Sequence, residues 1–171
     1  MAQRNNLIGY FAGVLSFKPA SHPWTWKLCA IGETVGLFVA LYWKAEFDRP
    51  RPSRISPKIM PPIDPPGHAS FPSAHATQAH LIALLLSQVL PEQAWASYES
   101  NDPTPNGPVF RMAERIARNR EVLGVHYPTD SAAGKYLAEK IHGKLKNTIL
   151  PKILTDRGVD FIKEAWDEWH P

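Results

Sequence analysis

Residues 68–90, HASFPSAHATQAHLIALLLSQVL, pass from a proline-bounded loop into a long apolar run. Ser73 stands at the boundary, where a hydroxyl can accept a free backbone N–H and cap a helix. The residues beyond it show helical periodicity and none of the period-two alternation of a half-buried strand, so a helix is expected from Ser73 to Pro91. Helical periodicity dominates outward in both directions. Upstream, residues 24–46 read as one long helix, followed by FDRPRPSRISPKIMPPIDPPG (47–67), whose prolines forbid regular structure. Downstream, residues 91–108 read as a loop with room for a short helical turn. VFRMAERIARNREVLG (109–124) then reads as a helix ending at Gly124, and TDSAAGKYLAEKIHGKLKN (129–147) as another, capped by Thr129 or Asp130. In the tail, Phe161, Ile162, Ala165 and Trp166 recur at helical spacing and dock a last short helix. The expected fold is all-α, a helical bundle formed by a single domain over residues 1–171.

Composition narrows the function classes. The chain has 171 residues, 44% of them hydrophobic, enough to bury one core. Its 19 Lys and Arg against 16 Asp and Glu leave a net charge of +3, too small a surplus for nucleic acid as a partner. The single cysteine, Cys29, has no internal disulfide partner and sits in an apolar stretch as a small buried hydrophobe. Arg4 precedes the apolar run LIGYFAGVLSF, but the following KPA places a lysine where signal cleavage wants a small residue. LCAIGETVGLFVALYW (28–43) is interrupted by Glu33 and reads as too short for a membrane span. A soluble, cytoplasmic protein with no transmembrane span is therefore expected. Residues 28–43 are apolar around most of the helix and must be covered, by the core or by a second copy in a homodimer.

The polar residues converge on one chemistry. Lys44 falls in the last turn of the first long helix, and Arg51 follows seven residues later, held extended by Pro52. Ser73 and His75 stand at a helix start, where free N–H groups favour an anion. Arg120 lies six residues before His126, and Asp130 follows His126 by four. Three cations, a hydroxyl and a helix N-terminus suit a multiply charged tetrahedral oxyanion such as phosphate. Two histidines from different elements add an acid and a nucleophile, completing a phosphoryl-transfer site.

These residues stand in three motifs: KAEFDRPRP (44–52), PSAH (72–75) and NREVLGVHYPTD (119–130). In order and internal spacing they resemble the K-x6-RP, PSGH and SR-x5-H-x3-D signature of the type 2 phosphatidic acid phosphatase and vanadium-dependent haloperoxidase superfamily. The resemblance covers residues 44–130 and implies an all-α phosphatase needing no cofactor, acting on a small phosphorylated substrate. It implies that Lys44, Arg51, Ser73, the backbone N–H of Ala74 and Arg120 hold the phosphate. His126 would be the nucleophile, Asp130 its orienting partner, and His75 the acid and then the base. Two positions depart from the pattern: Ala74 replaces glycine and Asn119 replaces serine. Arg49-Pro50 offers a second Arg-Pro, and only the six-residue spacing selects Arg51.

The resemblance also admits a haloperoxidase, with vanadate in the same cradle and His126 as its axial ligand. His68, seven residues before His75, resembles a histidine that adjoins the cofactor in vanadium bromoperoxidases. A third reading is a non-catalytic oxyanion-binding module, with Ala74 and Asn119 as marks of decay. His22, His80, His142 and His170 read as structural, and Trp24, Trp26 and Trp43 as packing residues. Trp95 and Tyr98 are expected at the pocket rim, and residues 55–67 and 91–108 are expected to shape specificity.

Overall fold

The computed structural model of the chain describes residues 6–96 and 106–170. Among the described residues there are eight α-helices: α1 (Leu7–Leu15), α2 (Pro23–Phe47), α3 (Pro52–Ile55), α4 (Ala74–Leu86), α5 (Pro108–Val122), α6 (Pro128–Lys144), α7 (Leu150–Arg157) and α8 (Phe161–Asp167). No strand occurs among the described residues, so the fold is all-α as expected. Helix α4 is the centre of the bundle, packed between α2, α5 and α6. A helix apolar on every side belongs in the interior. Accordingly, every α4 residue except His75 and Leu84 is buried.

Close approach to α4 is set by glycines on its neighbours. A Cβ at Gly36 of α2 would lie 3.1 Å from Cα of Gln78, and one at Gly134 of α6 would lie 2.7 Å from the carbonyl oxygen of Ser73. The second contact is against backbone at the helix start, which cannot swing aside. Gly134→Ala is thus expected to push α6 away from α4 and to destabilise the fold by about 1–3 kcal/mol. A thermal melt indistinguishable from that of the wild type would refute it.

Several boundaries differ from expectation. The proline-rich segment does contain one helical turn, α3, because Pro52 occupies a first-turn position where its missing N–H is harmless. Helix α4 stops at Leu86, and tighter i→i+3 bonds such as Gln88 N–H to Leu85 O carry the chain to Leu90. Helix α6 begins before Thr129 and Asp130: Tyr127 is the N-cap, Pro128 the first helical residue, and Asp130 lies in the first turn. It also continues past residue 147, through a π-helical turn at Leu145–Ile149 into α7, where Pro151 cannot sustain the regular ladder.

The segment after α8 closes on the start of α2. The first N–H groups of α2 have no cap from their own segment; instead the Glu168 carboxylate accepts from Trp24 N–H (2.7 Å), Thr25 N–H (2.9 Å) and the Thr25 hydroxyl (2.7 Å). Ala165 of α8 is buried, but Trp166 is 44% exposed and stacks on His170 rather than docking. Trp169 docks in its place, donating to Thr25 Oγ1 at 2.9 Å.

Helix α2 is only half covered. Trp24 and Trp26 pack against the core, whereas Trp43 is exposed and stacks on Phe47. Leu37, Phe38, Leu41, Tyr42 and Phe47 are exposed as well, Phe38 by 76%. The segment Pro23–Ile55 is long and apolar enough to cross a membrane by length and composition, so the interruption at Glu33 does not by itself exclude a span.

Candidate active site

At the end of α2 the backbone turns left-handed at Asp48 (φ 40°), whose N–H closes on Lys44 O, and the chain doubles back. Asp tolerates this conformation better than most side chains. Lys44, 2% exposed, donates from Nζ to Ala69 O (2.8 Å) and Ser70 O (2.9 Å). Arg51 is held extended before Pro52 and is 1% exposed. Its Nε donates to Pro66 O and His68 O, both at 3.1 Å, and NH1 donates to Val125 O at 2.8 Å. Two buried cations thus organise the loop before α4 through its carbonyls. Burial first, then the repulsion of Arg51 and Arg120, lowers the Lys44 ammonium to about 7. Burial and the neighbouring Arg120 lower Arg51 to about 10.

Gly124 (φ +69°) ends α5 and turns the chain so that His126 faces Arg51. His126 is 5% exposed. Its Nδ1 lies 3.0 Å from Asp130 Oδ2, and its Nε2 lies 3.4 Å from Arg51 NH1. Arg51 can only donate, so Nε2 presents its lone pair and the ring proton sits on Nδ1, donated to Asp130. Burial, and then the Lys44 and Arg51 charges, lower the imidazole to about 4, against the pull of Asp130. Asp130 is fully buried; burial raises its pKa, but the His126 and Tyr127 N–H groups and the Arg49 charge more than offset that and hold it below the usual carboxylate range.

The start of α4 supplies the third part. Ser73 is buried, its Oγ accepts from Ala76 N–H at 3.4 Å, and its own N–H donates to Asp130 O at 2.9 Å. Ala74 is the first helical residue and is not among the positive-φ positions, so alanine sits there without strain. Together with Arg51, His68, Arg120 and His126, Ala74 and His75 line a pocket of about 580 Å³. His68 also lies 3.2 Å, through Nδ1, from Arg51 NH2. Lys44, Ser73 and Asp130 stand behind this wall. Asn119 is half-buried and lies outside the lining.

Leu37, Phe38 and Leu41 form the opposite wall of the pocket, joined by Glu33, Thr34 and Gln78. These six had no place in the sequence expectation, although Gln78 lies one turn from His75 and Glu33, Leu37 and Leu41 follow i, i+4 spacing. Gln78 Nε2 donates to Glu33 O at 3.0 Å. Trp95 is not at the rim: its indole N–H donates to Leu90 O and its ring packs on the core. Tyr98 lies outside the described residues. Of residues 55–67, Pro66 is the one that lines the pocket.

Comparison with known proteins finds relatives of this chain. Among curated proteins, the chain is 32% identical over 116 residues to a decaprenylphosphoryl-5-phosphoribose phosphatase of Mycobacterium tuberculosis, covering 68% of this chain and 56% of the relative. It is 34% identical over 123 residues to the Mycolicibacterium smegmatis protein of the same name, covering 72% and 58%. The chain therefore spans somewhat over half the length of the curated relatives it matches. Residues 24–142, which include every residue expected to hold the oxyanion, match the PAP2 superfamily, and the chain belongs to that family.

Proposed function

We propose that the chain is a metal-independent phosphomonoester hydrolase acting through a phosphohistidine at His126. The observation that carries this reading is the orientation of His126: Nδ1–H is bound to Asp130, and Nε2 faces Arg51 at the pocket. In the first step Nε2 attacks phosphorus and the P–O bond to the leaving group breaks. Protonated His75 gives its proton to the departing alkoxide. In the second, His75 takes a proton from water, the water oxygen attacks phosphorus, and the P–N bond breaks to release phosphate. Lys44, Arg51 and Arg120 neutralise the charge on the transferring group, the task a metal performs elsewhere.

The pocket's two walls support an amphiphilic substrate. Cations and histidines suit the phosphate, while Leu37, Phe38 and Leu41 lead from the site onto the exposed face of α2. The relatives' name, which specifies a decaprenylphosphoryl compound, supports a lipid-linked phosphate.

The free enzyme needs His126 neutral and both Lys44 and His75 protonated, and kcat/KM reports free-enzyme ionisations. It should therefore fall as pH drops through about 4, where His126 gains a proton, and as pH rises through about 7, where Lys44 loses one. Hydrolysis of p-nitrophenyl phosphate with EDTA present is expected to trace that bell. Turnover that EDTA abolishes, or that still climbs beyond pH 9, would sink the reading. Stability follows the same sign for His126: unfolded, it takes a proton near 6.5, which the folded protein resists until about 4. That contribution is complete above 6.5 and lost as pH falls toward 4.

His68 beside Arg51 favours a second reading, a vanadate-dependent haloperoxidase. Arg51, Arg120 and the His126 Nε2 lone pair would hold vanadate, which would supply activation of peroxide toward a halide. Bromide oxidation by hydrogen peroxide, seen with vanadate and absent from His68→Ala, would establish it.

A further inference from the structure

The Asp130 carboxylate uses only one of its oxygens on the catalytic histidine. Oδ2 accepts from His126 Nδ1 and from Tyr127 N–H, both at 3.0 Å. Oδ1 accepts from Arg49 NH1 at 2.9 Å, and the same NH1 donates to Thr129 Oγ1 at 2.8 Å. The Arg49 guanidinium lies over the Tyr127 ring, 3.9 Å from its centroid. Arg49 O in turn accepts from Ser70 N–H at 2.8 Å, and Ser70 O is one of the two carbonyls that hold Lys44. Arg49 is not among the pocket-lining residues. Its guanidinium is engaged instead with Asp130, Thr129 and the Tyr127 ring.

We infer that Arg49 is a positioning residue for the phosphoryl transfer proposed above: by bonding Oδ1 it fixes the rotation of the Asp130 carboxylate, so that Oδ2 holds His126 with Nε2 toward the pocket. A carboxylate bound through one oxygen can turn about its last bond; bound through both, it cannot. Arg49 also shares the Asp130 charge. Without it, the undivided anion pulls harder on a proton at His126. The other groups around the pair are unchanged by its removal: Lys44 from α2, Arg51 at the start of α3, His68 from the loop, His75 from α4 and Arg120 from α5. Arg49 is thus set apart from Arg51, which occupies the spacing of the motif and faces the pocket.

The test compares Arg49→Ala and Arg49→Lys in the full chain with p-nitrophenyl phosphate. Arg49→Ala is expected to lower kcat about 10- to 100-fold with KM within about twofold, since only the nucleophile's support is lost. The acidic limb of kcat/KM should move up by at least about half a pH unit. Arg49→Lys, which keeps the charge on Oδ1, should recover most of both. A kcat within about threefold of wild type, or a loss with the acidic limb unmoved, overturns the inference. The 15N–1H histidine spectrum reads the same point without turnover. A His126 titration in Arg49→Ala shifted above that of the wild type supports the inference, and an unshifted one overturns it. A wild type with no turnover would count against the phosphatase reading alone, because this spectrum still decides Arg49.

Discussion

Replacing His126 by alanine is expected to lower kcat for p-nitrophenyl phosphate by about 10⁴-fold or more, because the nucleophile itself is gone. The fold should survive. Asp130 keeps its bonds from Arg49 and Tyr127 N–H, so no buried carboxylate is left without donors, and Arg51 keeps its carbonyl partners. The space vacated by the ring opens into a pocket of about 580 Å³, large enough to admit free imidazole. Added imidazole is therefore expected to restore part of the activity, its nitrogen attacking phosphorus where Nε2 did. Quenching the wild type during turnover of a 32P-labelled ester should trap an acid-labile, alkali-stable phosphoprotein that the variant does not form. Residual kcat within about tenfold of wild type, or labelling that persists in the variant, would place the nucleophile elsewhere.

Much of this site was legible in the sequence because its spacings are local and physical. Lys44 and Arg51 are separated by the end of a helix and an X-Pro pair, and Asp130 follows His126 by four residues across the N-cap of α6. Such relations survive without knowledge of the rest of the fold. What could not be read depends on distant pairing or on an unusual backbone. Glu168 caps α2 from 144 residues away in the chain, and nothing near either residue announces it. Arg49 looked like a rival to Arg51 because spacing treats them as alternatives. The structure instead bonds the two side chains to opposite ends of the Asp130–His126 pair, Arg49 at Asp130 Oδ1 and Arg51 at His126 Nε2. The apolar pocket wall was hidden for another reason: α2 is apolar around most of its circumference, so periodicity alone could not say which stripe faced the cations.

Asp130→Asn is expected to lower kcat by about 10²–10⁴-fold while leaving KM little changed, and its cause is a conflict of donors. Three donors converge on Asp130: Arg49 on Oδ1, and His126 Nδ1–H and Tyr127 N–H on Oδ2. A carboxylate accepts them all. An asparagine has one accepting oxygen and one NH2 that must face a donor on one side or the other. With its oxygen toward Arg49, the NH2 meets Tyr127 N–H and His126. The imidazole must then move its proton to Nε2, where it opposes Arg51 NH1 and no lone pair is left for phosphorus. With its oxygen toward His126, the NH2 opposes Arg49, the tautomer survives, and the loss comes from the missing negative charge behind a ring that becomes cationic on phosphorylation. In either orientation Arg49 no longer assists. Arg49→Ala combined with Asp130→Asn should therefore lose no more activity than Asp130→Asn alone, a non-additivity that contact through a shared partner produces and independent sites do not. Multiplicative losses in the double variant would mean that Arg49 and Asp130 serve catalysis separately. A double variant faster than Asp130→Asn would select the first orientation, since removing Arg49 frees the amide oxygen to turn back to His126.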